Sequence, residues 1–153
     1  MALELRPAVS RDLPVLFALD QACFAPGIAW SKAELQYFLR YPGNIGLIAE
    51  DEAHNIAGFA IGGKMLRRGT VLGRLITIDV DPSQRRRGVG HMLLEETERL
   101  LRAAGATALL LEVAVDNLTA QAFYEKHGFR RTGRIRGYYL GRIDALVMEK
   151  QLS

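Results

Sequence analysis

The chain has 153 residues, 49% of them hydrophobic, and a formal net charge of +3. That length suits one domain over residues 1–153 and is too short for two. The composition excludes a disordered chain, and no apolar run approaches the roughly 20 residues that span a bilayer.

The opening Met1-Ala2-Leu3-Glu4-Leu5-Arg6 lacks the charged start and apolar block of a secretion signal. Cys23 is the only cysteine, so no intrachain disulfide forms and the reducing cytoplasm is the expected location. Its neighbours Ala22 and Phe24 favour a packing role over a catalytic one.

Leu3, Leu5 and Val9 alternate with polar residues, the period of a half-buried strand. Ser10 is placed to cap a helix with Asp12 in its first turn, running on to about Cys23 before Ala25-Pro26-Gly27. Ser31 and Glu34 form the pattern of a capping box for a second helix, which Pro42-Gly43 ends. Strands follow at Ile45 to Glu50, Ile56 to Met65 and Val71 to Val80, with turn residues between them. On the last of these, simple alternation puts Ile76, Ile78 and Val80 on one face and Thr77 and Asp79 on the other.

A helix is predicted from Val89 to Ala104, with Val89, Leu93, Leu100, Leu101 and Ala104 inward and Glu95–Arg99 and Glu98–Arg102 paired on its wet side. Leu109 to Val115 reads as an apolar strand with one carboxylate, Glu112; alternation puts it with Leu110 and Ala114. Asn117 caps a helix over Leu118 to His127 that Gly128 stops, with Phe129 following the glycine. Phe129 to Thr132 and Ile143 to Leu152 read as two strands around a basic loop carrying Tyr138 and Tyr139. The order β-α-α-β-β-β-α-β-α-β-β makes a mixed α+β fold, a central sheet with helices on its faces.

The most informative stretch is Val80-Asp81-Pro82-Ser83-Gln84-Arg85-Arg86-Arg87-Gly88-Val89-Gly90-His91. It joins a strand to a helix N-terminus, where unpaired N–H groups and a partial positive charge welcome an anion. Gly88 and Gly90 leave the backbone open to close approach, and the arginines add forked donors suited to phosphate. The nucleoside-triphosphate loop Gly-x-x-x-x-Gly-Lys-Ser/Thr is missing, and so is Gly-x-Gly-x-x-Gly after a first strand. A diphosphate cradle of another kind is implied.

Arg85-x-x-Gly88-x-Gly90 resembles the acetyl-CoA signature of the GCN5-related N-acetyltransferases (GNAT), and Asn117-x6-Tyr124-Glu125-Lys126-His127-Gly128-Phe129 resembles their second signature. Leu111-Glu112-Val113, Ala122-Phe123-Tyr124-Glu125 and Tyr138-Tyr139 before Asp144-Ala145-Leu146-Val147-Met148 are most similar to the RimI-type ribosomal-protein N-terminal alanine acetyltransferases. The resemblance covers residues 3 to 152. It implies a mostly antiparallel twisted sheet with helices on both faces, acetyl-CoA as co-substrate, and cofactor contacts at Ile78, Asp79, Val80, Arg85, Arg86, Arg87, Gly88, Val89, Gly90, His91, Asn117 and Tyr124. It also implies a backbone N–H near Val80 as the donor to the oxyanion.

Only a neutral amine attacks a thioester. At pH 7 about a tenth of an α-amine with a pKa near ~8 is neutral, and under about a thousandth of a lysine. A general base therefore helps, and Glu112 is the candidate, set among leucines where desolvation would raise its pKa. The rival reading is a glutamate on a wet sheet face. Tyr124 is the candidate acid for the departing thiolate, seven residues and two helical turns after Asn117; the rival is a core tyrosine beside Phe123.

The segment Ala25 to Trp30 and the loop Leu140 to Ile143 depart from the family pattern where substrate binds. Arg85 stands where the narrower family often has Gln, and Asp79 replaces a small apolar residue, as a second carboxylate or a charge against acidic substrates. Trp30, Tyr138 and Tyr139 are the candidate substrate contacts. His54, His91 and His127 have no ligand spacing, so no metal is expected.

No nucleophile is paired with a base, which favours direct transfer. The expected reaction is acetylation of a protein N-terminus, a ribosomal protein's among the candidates, by a monomer or weak homodimer with no membrane or direct nucleic-acid partner. The rivals are a lysine or polyamine acetyltransferase, a non-catalytic CoA-binding module, and an RNA-binding domain using the arginines.

Overall fold

A computed structural model describes residues 2–152. The elements run β1 (Glu4–Pro7), α1 (Leu13–Cys23), α2 (Lys32–Arg40), β2 (Ile45–Glu50), β3 (Ile56–Arg67), β4 (Thr70–Val80), α3 (Val89–Ala103), β5 (Ala108–Ala114), α4 (Leu118–Lys126), β6 (Arg130–Tyr139) and β7 (Ile143–Gln151). One seven-stranded sheet has the order β1-β2-β3-β4-β5-β7-β6. Every pairing is antiparallel except β4 with β5. Leu16, Leu19 and Leu35 of α1 and α2 pack with Phe59 and Ile61 on one face. Val89, Leu93, Leu94 and Leu101 of α3 pack on the other, and Tyr124 of α4 joins that side. This is the mixed α+β arrangement with helices on both faces that the sequence predicts.

Local signals account for most boundaries. Ser31 Oγ accepts from the Glu34 N–H and Glu34 accepts from the Ser31 N–H, both at 3.0 Å, completing the predicted capping box. Gly128 sits at φ +93°, and the Phe129 N–H returns to the Tyr124 carbonyl, so Phe129 folds back onto the core. At the other end of the chain the predicted cap is displaced. Ser10 lies inside a 3-10 turn, and Asp12 accepts from the Val9 N–H at 2.8 Å while taking two bonds from Arg6.

Three further differences have identifiable causes. The register of β3 with β4 slips between Ile61 and Gly62, which pair with Thr77 and Leu75 and leave Ile76 as the extra residue of a bulge. Ile76 therefore packs toward α1 and α2, while Ile78 and Val80 pack toward α3. The basic stretch up to Tyr139 is strand β6 rather than a loop; as the outermost strand it is exposed on both faces and shows no apolar alternation. On α3, Glu98 is buried and pairs with Lys150 of β7 at 2.8 Å instead of with Arg102, Leu94 joins the core, and Ala104 lies exposed beyond the helix.

The sheet opens at its middle. β4 and β5 pair only at Gly73–Leu109 and Arg74–Leu110, so past that point the two strands run without a shared ladder. The Asp81 N–H bonds to the Ala57 carbonyl, which fixes the alternation of the β3–β4 ladder. Val80 and Ile78 then direct their backbone groups away from β3, into the split.

Candidate active site

One wall of the split ends in the arginine–glycine loop. Asp81 turns the chain by accepting from the Ser83 N–H at 2.9 Å and the Ser83 hydroxyl at 2.8 Å. Arg86 (φ +66°) and Gly88 (φ +79°) take left-handed conformations, and Gly88 opens α3 with no side chain capping it. Among the described residues, the N–H groups of Arg85 to Gly88 find no protein acceptor. A Cβ on Gly88 would meet nothing within 4 Å, so the space above it is open. Gly90 differs: its Cβ would lie 3.2 Å from the Phe123 ring, so this glycine lets α4 approach α3. Arg85, Arg86 and Arg87 are exposed, with Arg87 held by Gln84 at 2.9 Å. An uncapped 15-residue helix, free N–H groups, open space and three arginines make a site that fits a pyrophosphate.

His91, in the first turn of α3, lies in that loop's reach. Its Nδ1 is 3.0 Å from His127 Nε2, and its Nε2 is 3.2 Å from Glu95. His127 Nδ1 lies 2.8 Å from the Phe123 carbonyl and so carries a hydrogen. The sequence gives no sign of this contact, because the two histidines are 36 positions apart.

The other wall holds Glu112. It faces away from Leu111 and Val113, as alternation predicts, but not into an apolar setting. Arg74 donates to Glu112 Oε1 at 2.8 Å and the Tyr138 hydroxyl donates to the same oxygen at 3.2 Å. Oε2 has no partner among the described residues, and the side chain keeps 17% exposure. Burial first, and the Glu112 charge second, push the Tyr138 phenol up. Arg74 is a site residue the sequence reading missed; its one signal was a charge inside the apolar run before the loop.

Tyr124 lies between these walls, 8% exposed, its ring edge-on to Phe123 and Phe129. Burial, with smaller contributions from the charge of Asp79 and from Tyr139, pushes its phenol well above its usual range. Asn117 caps α4 through its Oδ1, which accepts from the Ala120 N–H at 3.1 Å, leaving its amide to donate elsewhere.

Trp30 packs edge-to-face on Phe38 under the loop between α1 and α2. That loop meets the β6–β7 turn, where Leu140 (φ +58°) and Gly141 (φ +68°) follow Tyr139; a Cβ on Gly27 would overlap the Leu140 side chain. Tyr138 and Tyr139 stack edge-on 4.9 Å apart on that hairpin. Asp79 is 1% exposed and faces Asp20 of α1, so it lines no surface pocket for a polyamine. Glu112 and Tyr138 thus meet on one side of the split, while Trp30 stands apart, half-buried against Phe38.

An acyl-donor cleft between two splayed parallel strands, closed at one end by a glycine-bearing helix N-terminus, defines an acetyltransferase. The Acetyltransferase (GNAT) family matches residues 13–129, and the chain belongs to it. It is an N-acetyltransferase. It is 36% identical over 149 residues to the [ribosomal protein bS18]-alanine N-acetyltransferase of Salmonella typhimurium, covering 93% of each chain. It is 32% identical over 133 residues to the N-alpha-acetyltransferase RimI of Mycobacterium tuberculosis, covering 86% of this chain and 82% of that one. The crystal structure of the ribosomal-protein-S18-alanine N-acetyltransferase from Escherichia coli superposes with a TM-score of 0.83 at 28% identity, covering 99% and 95% of the two chains.

Proposed function

We propose that this enzyme transfers the acetyl group of acetyl-CoA directly to the N-terminal α-amine of a protein, with an alanine at the N-terminus of a ribosomal protein as the leading acceptor. The observation that carries the reading is the split itself. A phosphate-fitting loop stands at one side of it, and a carboxylate and phenols stand at the other. The N–H groups from Arg86 to His91 and the neighbouring arginines hold the pyrophosphate, with Gly88 leaving room and Asn117 donating from α4. Backbone groups of Ile78 and Val80, turned into the split, align the pantetheine arm, whereas those of the intervening Asp79 are turned to β3; the Val80 N–H stabilises the oxyanion.

Glu112 takes the proton of the incoming amine on Oε2, while Arg74 and Tyr138 fix its other oxygen. Tyr124, kept a phenol by burial, can only give its proton, and it gives it to the leaving thiolate. Trp30, Tyr138 and Tyr139 shape the acceptor side. The enzyme works in the cytoplasm, where nascent ribosomal proteins and acetyl-CoA meet.

The test is a panel of peptides with differing N-termini and internal lysines, incubated with acetyl-CoA and sequenced by mass spectrometry. Acetyl on the α-amine, strongest on alanine, supports the reading. Acetyl confined to lysine Nζ overturns it.

A further inference from the structure

The buried pair Asp20 and Asp79 has no part in the chemistry above. Their residues are 0% and 1% exposed. Each carboxyl has one satisfied oxygen: Thr77 Oγ1 donates to Asp79 Oδ1, and the Trp30 N–H donates to Asp20 Oδ2, both at 2.6 Å. Each also has one oxygen without a partner, Asp79 Oδ2 and Asp20 Oδ1. The two carboxyls adjoin, close enough for each to act on the other's ionisation. Ionised carboxylates only accept, so a bond between them requires a proton, and one shared proton would satisfy both orphaned oxygens. Burial raises both groups, and the neighbouring Asp20 charge raises Asp79 further.

The pair stands at a structural junction. Asp79 is the penultimate residue of β4, next to Val80. Asp20 lies in the last turn of α1, and through Trp30 it holds the segment that leads into α2. Three residues after Asp20, the Cys23 thiol donates to the Val80 carbonyl at 3.4 Å. The charged and titratable groups around the pair are few. They are Cys23, whose thiol burial pushes up to about 11, Arg85 beside that sulfur, Glu34 of α2 and Tyr124 of α4.

We propose that Asp20 and Asp79 are positioning residues for the acetyl acceptor: one proton shared between their carboxyls fastens the end of α1 and the Trp30 segment to the acyl end of β4. This rests on the functional reading above. When both carboxyls ionise, two adjoining buried groups carry like charge, the fastening opens, and the acceptor wall loses its place. Binding of acetyl-CoA, anchored by its phosphates at the start of α3 on the opposite face from α1, keeps its strength.

The experiment measures KM for an alanine-terminated peptide and KM for acetyl-CoA across neutral to alkaline pH, in the wild type and in Asp20→Asn. In the variant, the Asn carbonyl oxygen accepts from Trp30 and its amide donates to Asp79, so the fastening persists without a titrating proton. The peptide's own amine titrates alike in both proteins. The wild-type peptide KM should climb relative to the variant, by at most about tenfold per pH unit above the pair's upper ionisation. The acetyl-CoA KM should not follow it. Asp79→Ala should raise the peptide KM at neutral pH by about fivefold or more, with calorimetric acetyl-CoA affinity within about twofold. Superimposable wild-type and Asp20→Asn profiles, or an unmoved peptide KM in Asp79→Ala, overturn the proposal.

A readout independent of turnover separates this from the functional reading. A carboxyl whose folded pKa is raised stabilises the fold below its unfolded pKa, and that contribution is lost as pH rises through the folded value. Wild-type Tm should therefore fall relative to Asp20→Asn as pH rises through that window. A wild type that acetylates no peptide defeats the functional reading alone. Parallel Tm curves defeat the shared proton whatever the enzyme acetylates.

Discussion

Replacing Glu112 by glutamine separates its proton-accepting role from its structural one. The glutamine carbonyl oxygen can still accept from Arg74 and Tyr138, which bond to Oε1 at 2.8 and 3.2 Å. The amide falls where Oε2 had no partner, so the fold and the acetyl-CoA site should be undisturbed. What disappears is a place for the amine's proton. With an α-amine pKa near ~8, about a tenth of the acceptor is neutral at pH 7, so Glu112→Gln should lower kcat/KM about tenfold there, or about 1.4 kcal/mol. The deficit should shrink as the amine deprotonates itself and become small above about pH 9. An acceptor offering only a lysine side-chain amine should suffer more. The assay is initial rate against pH with acetyl-CoA saturating and affinity checked by calorimetry. An unchanged rate, or an equal loss at every pH with weakened acetyl-CoA binding, would refute the reasoning.

Tyr124→Phe should slow turnover by about a hundredfold or more. Because the hydroxyl has no protein hydrogen bond among the described residues, it should change stability by under about 0.5 kcal/mol; a normal rate would reduce Tyr124 to packing. Gly88→Val forces a β-branched residue into φ +79° and places it in the open phosphate site, so equilibrium dialysis should show acetyl-CoA binding lost. Gly90→Ala should act through the Phe123 contact at 3.2 Å and weaken the packing of α3 on α4 first. Arg6→Met should cost about 2 kcal/mol in urea denaturation by stranding the buried Asp12 carboxylate. The Arg6 bond holds Asp12 below its usual range, so this stabilisation is present above its unfolded pKa and is lost as pH falls through the folded one. The wild type should lose its advantage over Arg6→Met in acid, and a constant difference would contradict the pairing.

The parts legible in the sequence are those written in short-range chemistry. The Ser31–Glu34 box, the glycine stop at Gly128, and the loop from Asp81 to Gly90 each depend on a few neighbouring residues. The parts that escaped depend on register or distance. Period-two counting carries no information about the slip at Ile76, so simple alternation puts that one residue on the wrong face of β4. Strand β6 is legible only as far as Thr132, because an outer edge has no dry face to imprint an apolar alternation on the rest. Glu98 found Lys150, 52 positions away, and Arg74 found Glu112, 38 away, pairings no local pattern encodes. Asp79 was visible as an oddity in an apolar strand, but its meaning needs Asp20, brought to it from α1.

The central claim is that exposed amides at the start of α3 grip a pyrophosphate and aim the attached acyl arm along β4. Calorimetric titration with acetyl-CoA and, separately, with acetyl-pantetheine, which lacks the adenosine and all three phosphates, tests it most directly. The prediction is saturable one-to-one heat for acetyl-CoA and binding weaker by about a hundredfold or more for acetyl-pantetheine. Equal affinity for the two compounds, or no heat from acetyl-CoA, would contradict the account.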